Sequence, residues 1–301
     1  MCLKELLIMK TILLKQFNAV IGNPLGHSLS PALHNLIYRL MKINAMFLPI
    51  AHPDVKVLVS VIRTLPIKLT AVTMPHKQAV MPFLDEIAKS ARQAGAVNTV
   101  INKQGRLIGY NTDIFGLSFA FRNTALKNKK VLLIGAGGAA YAVASVVAQK
   151  GGRLIYLDRT AEKAKALQKK FGGKIVKLKS LKAADIDVII NATPVGMGLL
   201  SNHLPIPAKL LAPHQTVFDL VYNPAKTKLL RAAEKIGAKT ILGLEMFVAQ
   251  GLKQEELFLK KKIVSEKIVS LATKELVKQL NYPHPPFGHP LPSAGSGRGK
   301  I

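Results

Sequence analysis

Cysteine is all but missing from this chain: among 301 residues only Cys2 carries a thiol. That excludes an internal disulfide framework and a multi-cysteine metal site; no metal is expected, and the chain fits a reducing cytoplasm. No run of about 18 consecutive apolar residues occurs, so no membrane-spanning helix is expected. The opening M-C-L-K-E-L-L-I-M-K is interrupted by Glu5 and lacks a small-residue cleavage site, so it does not read as a signal peptide, and Met1 and Met9 both stand as candidate starts. Acidic residues are scarce, 16 against 43 basic ones, for a formal charge of +27. Such an excess suits a binder of nucleic acid or of an anionic surface. The lysines, however, are scattered along helix-like stretches such as 162–170 and 260–267, with no aromatic-interleaved stripe. A generally basic surface that also attracts an anionic substrate and cofactor is the preferred reading. Neither a nucleic-acid nor a membrane partner is expected.

What the chain does have is alternation. Strand-like segments at 17–22, 46–50, 69–73 and 96–101 alternate with helical ones from 31, at 55–64 and at 79–91. This predicts an open α/β layer with a largely parallel sheet. Ser30, just before Pro31, is the expected N-cap of the first helix. From 130 the pattern restarts: a buried strand, a glycine turn, a helix over 139–150 and a strand over 153–157 ending at Asp158 form one βαβ unit. Further strands are expected at 188–191, 216–219 and 239–242, with a helix over 227–236. The second domain therefore reads as a Rossmann-type dinucleotide-binding fold. Beyond 243 the chain is mostly helical to about 280, and the Pro-, Gly- and Ser-rich 281–301 is an expected disordered tail.

The glycine turn, V-L-L-I-G-A-G-G-A-A over 131–140, has clear physical logic. Gly135 permits the tight turn, Gly137 lets the backbone approach a pyrophosphate, and Ala140 is small enough for helix-on-strand packing. Backbone N–H groups at the helix start then face the phosphates, and Asp158 lies about 20 residues on, where a ribose-facing acid belongs. A second loop, N-A-T-P-V-G-M over 191–197, leaves another strand and is expected to line the same cleft. In G-H-S-L-S-P, Ser28 and Ser30 sit at a helix N-terminus, which suits a small carboxylate or simple capping. Lys77, in V-T-M-P-H-K, reads as a loop lysine after a strand, where its ammonium can reach a cleft. Thr73, Asn98 in G-A-V-N-T-V, and Asn111 and Asp113 in G-Y-N-T-D gather at neighbouring strand ends or loops. His27, His34 and His76 are alternative proton carriers, but no spacing pairs them with an acid.

Taken in order, G-N-P-L-G-H-S-L-S-P, V-T-M-P-H-K, G-A-V-N-T-V, G-Y-N-T-D-I-F-G, G-A-G-G-A-A, N-A-T-P-V-G-M, D-L-V-Y-N-P and G-L-E-M-F-V-A-Q run across 19–259, and the chain resembles the shikimate dehydrogenase family. The resemblance implies reversible reduction of 3-dehydroshikimate to shikimate with NADP, NAD serving as a secondary cofactor. It implies that Ser28 and Ser30 bind the substrate carboxylate, that Thr73, Lys77, Asn98, Asp113 and Gln250 hold the ring hydroxyls, and that Tyr222 lies near. Lys77 and Asp113 are the implied catalytic pair. Gly135, Gly137, Gly138 and Ala139 take the pyrophosphate, Asp158, Arg159 and Thr160 lie by the adenosine ribose, and Thr193, Gly243 and Met246 complete the cofactor side. The implied division is a discontinuous substrate domain, 1–113 plus 246–280, around a nucleotide domain, 114–245, in a monomer or homodimer. Burial favours Lys77 as a neutral amine, whereas a nearby Asp113 favours the ammonium.

Where the family usually has Asn two residues before the threonine of V-T-x-P-x-K, this chain has Ala71, which is expected to loosen the loop or the site. Tyr141 stands where an arginine is common, and D-R-T at 158–160 replaces N-R-T; both bear on cofactor choice. A quinate/shikimate dehydrogenase using NAD is the alternative within the enzyme class. A basic nucleic-acid binder on an inactive dehydrogenase fold is the alternative outside it, disfavoured by Lys77, Asp113, Gln250 and the glycine turn.

Overall fold

Continuous apolar runs build the centre of each sheet, since a parallel strand covered on both faces needs apolar side chains on both. In the computed structural model, which describes residues 16–26 and 28–281, two six-stranded sheets form. The expectations for Met1, Met9, His27 and the segment 282–301 lie outside the described residues. Among those described, no helix is long and apolar enough to cross a membrane.

The first sheet is assembled from β1 (Gln16–Gly22), α1 (Ser30–Met41), β2 (Ala45–Ala51), α2 (Val55–Thr64), β3 (Ile67–Val72), α3 (His76–Ala79), β4 (Glu86–Ile87), α4 (Lys89–Ala94), β5 (Thr99–Lys103) and β6 (Arg106–Tyr110). Its strand order is β2-β1-β3-β5-β6-β4. Contrary to expectation it is mixed, because β5 runs antiparallel to both β3 and β6. Gln104 and Gly105, with φ of 53° and 91°, reverse the chain between β5 and β6, the two-residue turn geometry that suits a tight hairpin. The reversal has a functional consequence. It carries the start of β5, with Asn98 just before it, to the edge where β1, β3 and β6 end.

Two other expectations fail locally. No single helix spans 79–91: Pro82 lies in a short 3₁₀ turn, and Asp85 is drawn to β6, its carboxylate accepting from Leu107 N at 2.7 Å and its N–H donating to Leu107 O at 3.0 Å. Nor does Ser30 cap α1. The helix begins at Ser30, whose N–H donates to Ser28 Oγ at 3.3 Å.

After α5 (Asp113–Ala120) comes the second sheet: β7 (Lys130–Ile134), α6 (Gly138–Gln149), β8 (Arg153–Leu157), α7 (Ala161–Phe171), β9 (Lys174–Ile175), β10 (Val188–Asn191), β11 (Thr216–Asp219), α8 (Lys228–Lys235) and β12 (Lys239–Leu242). All its pairings are parallel, in the order β12-β11-β10-β7-β8-β9. The chain leaves β7 in opposite directions to β8 and β10, so a crevice opens at the ends of β7 and β10, the place where open α/β sheets take ligands. Small residues let α6 lie close on the sheet, with Ala140, Ala142, Val143, Ala144, Val146 and Val147 all buried.

Helices α9 (Gly243–Leu259) and α10 (Glu266–Asn281) then return to α1. Leu33, Leu36 and Ile37 share one apolar cluster with Leu244, Val248, Leu252, Val269 and Leu276. Asn281 thus closes a helix instead of opening a tail. Gly116 of α5 allows α9 to approach, since a Cβ there would stand 2.6 Å from Met246 O.

Candidate active site

The edge where β1, β3 and β6 end, and β5 begins, collects the polar residues of the first sheet. Lys77 lies not in a loop but in the short α3, and Asp113 is the first residue of α5. Lys77 Nζ donates to Asp113 Oδ2 at 2.6 Å, with the two side chains only 17% and 6% exposed. Asn98 Nδ2 donates to the other carboxylate oxygen, Oδ1, at 2.9 Å, and to Gln250 Oε1 at 3.1 Å. Its own Oδ1 accepts from Thr112 N at 2.8 Å and from Thr99 Oγ1 at 2.7 Å. The carboxylate is therefore held on one side by a buried amide and presents its other oxygen to Lys77. Asn111 supports the loop: its Nδ2 donates to Ala96 O at 2.8 Å and its Oδ1 accepts from Ile114 N at 3.2 Å.

Thr73 follows β3 directly and is tied by its N–H to Ile21 O at 2.9 Å. It lies so close to β1 that a Cβ on Gly22 would collide with its methyl. Tyr222 reaches this region from the second sheet: its ring stacks on Phe247 with centroids 4.3 Å apart, and the backbone of Leu29, between Ser28 and Ser30, faces its hydroxyl. Burial pushes that hydroxyl up to about 12, with Asp113 adding to the rise. Ala71 is buried in an apolar cluster with Val20, Tyr38, Phe47 and Leu69. Of the alternative proton carriers, His76 is buried with Nε2 on His52 O at 2.9 Å. His34 does have an acid partner, Glu255, which is far away in sequence and so invisible to local spacing.

The glycine turn stands against this cluster. Gly135 has a φ of +97°, and a Cβ there would stand 2.8 Å from Thr193 Cγ2, so the turn and the 191–197 loop interlock at the crevice. Gly137 precedes α6 with no side-chain cap, and a Cβ on it would meet nothing within 4 Å. Gly138 abuts the catalytic candidate itself: its Cβ would lie 3.5 Å from Lys77 Cβ. A turn with uncapped N–H groups, open at Gly137, fits a pyrophosphate.

The strand β8 ends at Leu157, as expected; beyond it Asp158 Oδ1 accepts from Thr160 N at 2.6 Å while Arg159 is exposed. Tyr141 packs edge-on against Phe171, with Lys170 Nζ 5.9 Å above its ring. Gly243 lies against the end of β11, where a Cβ would stand 2.5 Å from Asp219 O, and Met246 is 7% exposed in the core around Leu117 and Phe121.

Asp219 itself is fully buried. It accepts from Thr227 Oγ1 at 2.6 Å, Asn191 Nδ2 at 2.9 Å and Val221 N at 3.0 Å, which joins the 191–197 loop to the one that carries Tyr222. Desolvation pushes it up from 3.8 to about 6 despite these donors. Between those values the native chain keeps a proton that the unfolded chain has released, so this group makes stability fall as pH rises through the window and adds no slope above about 6. Chemical denaturation across pH 4–6 checks it: Asp219→Ala should lack about 3 kcal/mol of that pH-dependent decline, the worth of a shift of about two pH units.

Sequence reasoning passed over Thr99, Thr112, Gln254 and Glu255, and left His34 without its partner. The four-residue spacing of Gln250 and Gln254 on one helix face was a usable signal for Gln254.

Comparison with known proteins agrees with the geometry. The family model described as shikimate dehydrogenase substrate binding domain matches residues 20–100, and that described as shikimate / quinate 5-dehydrogenase matches 119–204. A shikimate dehydrogenase (NADP(+)) of Dehalococcoides mccartyi is 41% identical over 81% of this chain and 90% of its own length. Among solved structures, a shikimate dehydrogenase in complex with NADP+ superposes with a TM-score of 0.82 at 33% identity, covering 89% of this chain and 96% of that one. The Thermus thermophilus shikimate 5-dehydrogenase in complex with NADP(H) and shikimate gives 0.78 at 32% identity, covering 86% and 99%.

Proposed function

The chain belongs to the shikimate dehydrogenase family, and from that premise we propose that it interconverts shikimate and 3-dehydroshikimate with NADP(H), on the route through chorismate to the aromatic amino acids, with Lys77 and Asp113 handling the proton. The observation that carries this reading is the 2.6 Å Lys77–Asp113 pair set against Gly138 at the head of the glycine turn. The names of the relatives favour shikimate with NADP over quinate with NAD. We divide the chain as 1–113 plus 246–280 for substrate and 114–245 for nucleotide, supported by the return of α9 and α10 to α1, and we place the enzyme in the cytoplasm.

NADP(H), when bound, would supply the hydride acceptor for oxidation of the alcohol carbon and the hydride donor for reduction of the ketone. Gly135, Gly137, Gly138 and Ala139 hold its pyrophosphate, Asp158, Arg159 and Thr160 its adenosine ribose, with Thr193, Gly243 and Met246 beside it. The residues of this chain supply the rest. Ser28 and Ser30 take the substrate carboxylate at the start of α1, and Thr73, Asn98, Tyr222 and Gln250 orient the ring. Oxidation also requires a base within hydrogen-bond reach of the hydroxyl. Lys77 Nζ lies 2.6 Å from Asp113 Oδ2, so Lys77, entering as the amine, takes the hydroxyl proton and becomes the ammonium, paired at once with the Asp113 carboxylate. In reduction, the Lys77 ammonium stabilises the developing alkoxide and returns the proton.

Absorbance of the reduced nicotinamide, followed with shikimate or quinate and with either cofactor, tests the proposal. Shikimate with NADP should give the highest kcat/KM; a higher value for quinate would overturn the substrate assignment. Ser28→Ala and Ser30→Ala should each raise KM for shikimate about tenfold with kcat little changed, because a remote carboxylate is held alike in ground and transition states. An effect confined to KM for NADP would move these serines to the other ligand.

Cofactor choice has its own test. Asp158 makes a turn with Thr160 N that an asparagine oxygen makes equally well, so Asp158→Asn removes charge and leaves the loop in place. The kcat/KM ratio of NADP to NAD should rise in that variant and fall in Arg159→Ala, whose guanidinium pairs with a 2′-phosphate. An unchanged ratio in Asp158→Asn would show that this carboxylate does not face the ribose.

A further inference from the structure

Behind the Lys77–Asp113 pair lies a buried polar chain that takes no direct part in the proton transfer. His34 and Glu255, both with no exposed surface, meet through Nδ1 and Oε1 at 2.5 Å, and the imidazole is stacked flat on Phe47 with centroids 3.9 Å apart. His34 Nε2 lies 3.0 Å from Gln254 Oε1. Gln254 Nε2 in turn donates to Asn98 O at 3.1 Å and to Thr99 Oγ1 at 2.9 Å, Thr99 Oγ1 donates to Asn98 Oδ1 at 2.7 Å, and Asn98 Nδ2 donates to Asp113 Oδ1 at 2.9 Å. Tyr38, one turn further along α1, closes the far end: its hydroxyl accepts from Asn18 Nδ2 at 2.6 Å, and burial beside Glu255 holds it un-ionised.

The direction of this chain follows from elementary donor and acceptor chemistry. A backbone carbonyl can only accept, so the Gln254 amide must turn its NH₂ to Asn98 O and its oxygen to His34. An amide oxygen can only accept, so His34 Nε2 must carry a hydrogen. Glu255 makes that tautomer secure: whether the proton between Nδ1 and Oε1 rests on nitrogen or oxygen, Nε2 keeps its own. At the near end Thr112 N, a fixed donor 2.8 Å from Asn98 Oδ1, requires the same orientation of Asn98. Every link therefore points from His34 towards Asp113.

We infer that His34, with Glu255, is a positioning residue for the reaction: it supplies the donor to Gln254 that completes a one-way buried hydrogen-bond relay, whose far end holds the Asn98 amide on Asp113 and so the carboxylate against Lys77. This rests on the assignment of proton transfer to Lys77 and Asp113. A structural role alone would require only that the His34–Glu255 space be filled, whereas the relay requires a donor at the Nε2 position.

Long-range ¹⁵N NMR of histidine-labelled wild-type protein reads the tautomer directly, with His34 assigned from nuclear Overhauser contacts to the Phe47 ring stacked on it. The relay predicts a protonated Nε2 at every pH at which the protein is folded; an unprotonated Nε2 would overturn it, and this holds even if no variant folds. Two double variants then isolate the donor. His34→Phe/Glu255→Leu and His34→Gln/Glu255→Leu both remove the carboxylate, so neither leaves a buried charge unpaired. The glutamine variant alone offers an N–H where Nε2 stood. It should turn over shikimate at least about tenfold faster per folded molecule than the phenylalanine one, the scale at which small misplacements of reacting groups are felt. Equal kcat in the two would overturn the relay. A normal kcat in Asp113→Asn would instead sink the underlying assignment, so the two failures are distinct.

Discussion

Replacing Lys77 by alanine lowers the turnover number for shikimate by at least about a hundredfold and changes the dissociation constant for NADP by less than about threefold. The magnitude follows from the loss of a positioned acid–base group, and the selectivity follows from geometry. Lys77 touches the glycine turn only through its aliphatic stem, 3.5 Å from where a Gly138 Cβ would stand, while its ammonium is directed to Asp113. Asp113→Asn is expected to be nearly as damaging, because an amide cannot accept the Lys77 proton in the same way and its NH₂ competes with that of Asn98. Since the two groups are joined by one 2.6 Å hydrogen bond, the double variant should be little worse than the worse single variant. Fully additive losses would mean that Lys77 and Asp113 serve separate steps.

Gly135→Val should remove both cofactor affinity and stability, and comparison with Gly137→Ala separates the causes. At Gly135 a side chain meets a φ of +97°, Thr193 Cγ2 at 2.8 Å and Ala192 O at 3.1 Å, so the apoprotein should lose about 3 kcal/mol or more. Because the displaced turn and the 191–197 loop flank the same crevice, the dissociation constant for NADP should rise at least about tenfold. At Gly137 the φ of −81° is open to alanine and nothing lies within 4 Å, so Gly137→Ala should leave the melting temperature of the apoprotein unchanged. On the proposed placement its methyl stands where the pyrophosphate would approach, so NADP affinity should fall. Thermal melts with and without NADP check both; unchanged NADP affinity in Gly137→Ala would remove the turn from the cofactor site.

The second sheet was legible in the sequence because its strands are fully buried: the apolar runs at 153–157, 188–191, 216–219 and 239–242 coincide with β8, β10, β11 and β12. The first sheet was less so. Its β5–β6 hairpin turns on Gln104 and Gly105, a pair whose positive φ values the alternation of apolar residues does not report. The segment 79–91 has helical composition, but Asp85 and Ala88 find partners on β6, a choice made by tertiary pairing. The same distinction holds at the site. Lys77, Asn98 and Asp113 stood out because each lies in a polar motif beside a strand end or helix start, whereas Gln250, inside α9, was marked only by the family resemblance. His34 and Glu255 did not, since their pairing joins α1 to α9 and depends on those helices packing together.

On the proposed reading, one cleft between the glycine turn and the Lys77–Asp113 pair holds both ligands in reacting order. A crystal structure of Lys77→Ala with NADP+ and shikimate tests it most directly, because the variant should bind both and turn over neither quickly. The pyrophosphate should lie on the N–H groups of 135–139, the shikimate carboxylate on Ser28 and Ser30, and the reacting hydroxyl within hydrogen-bond reach of Asp113. A shikimate bound with its carboxylate at Asp113, or a nucleotide placed away from the glycine turn, would contradict the account.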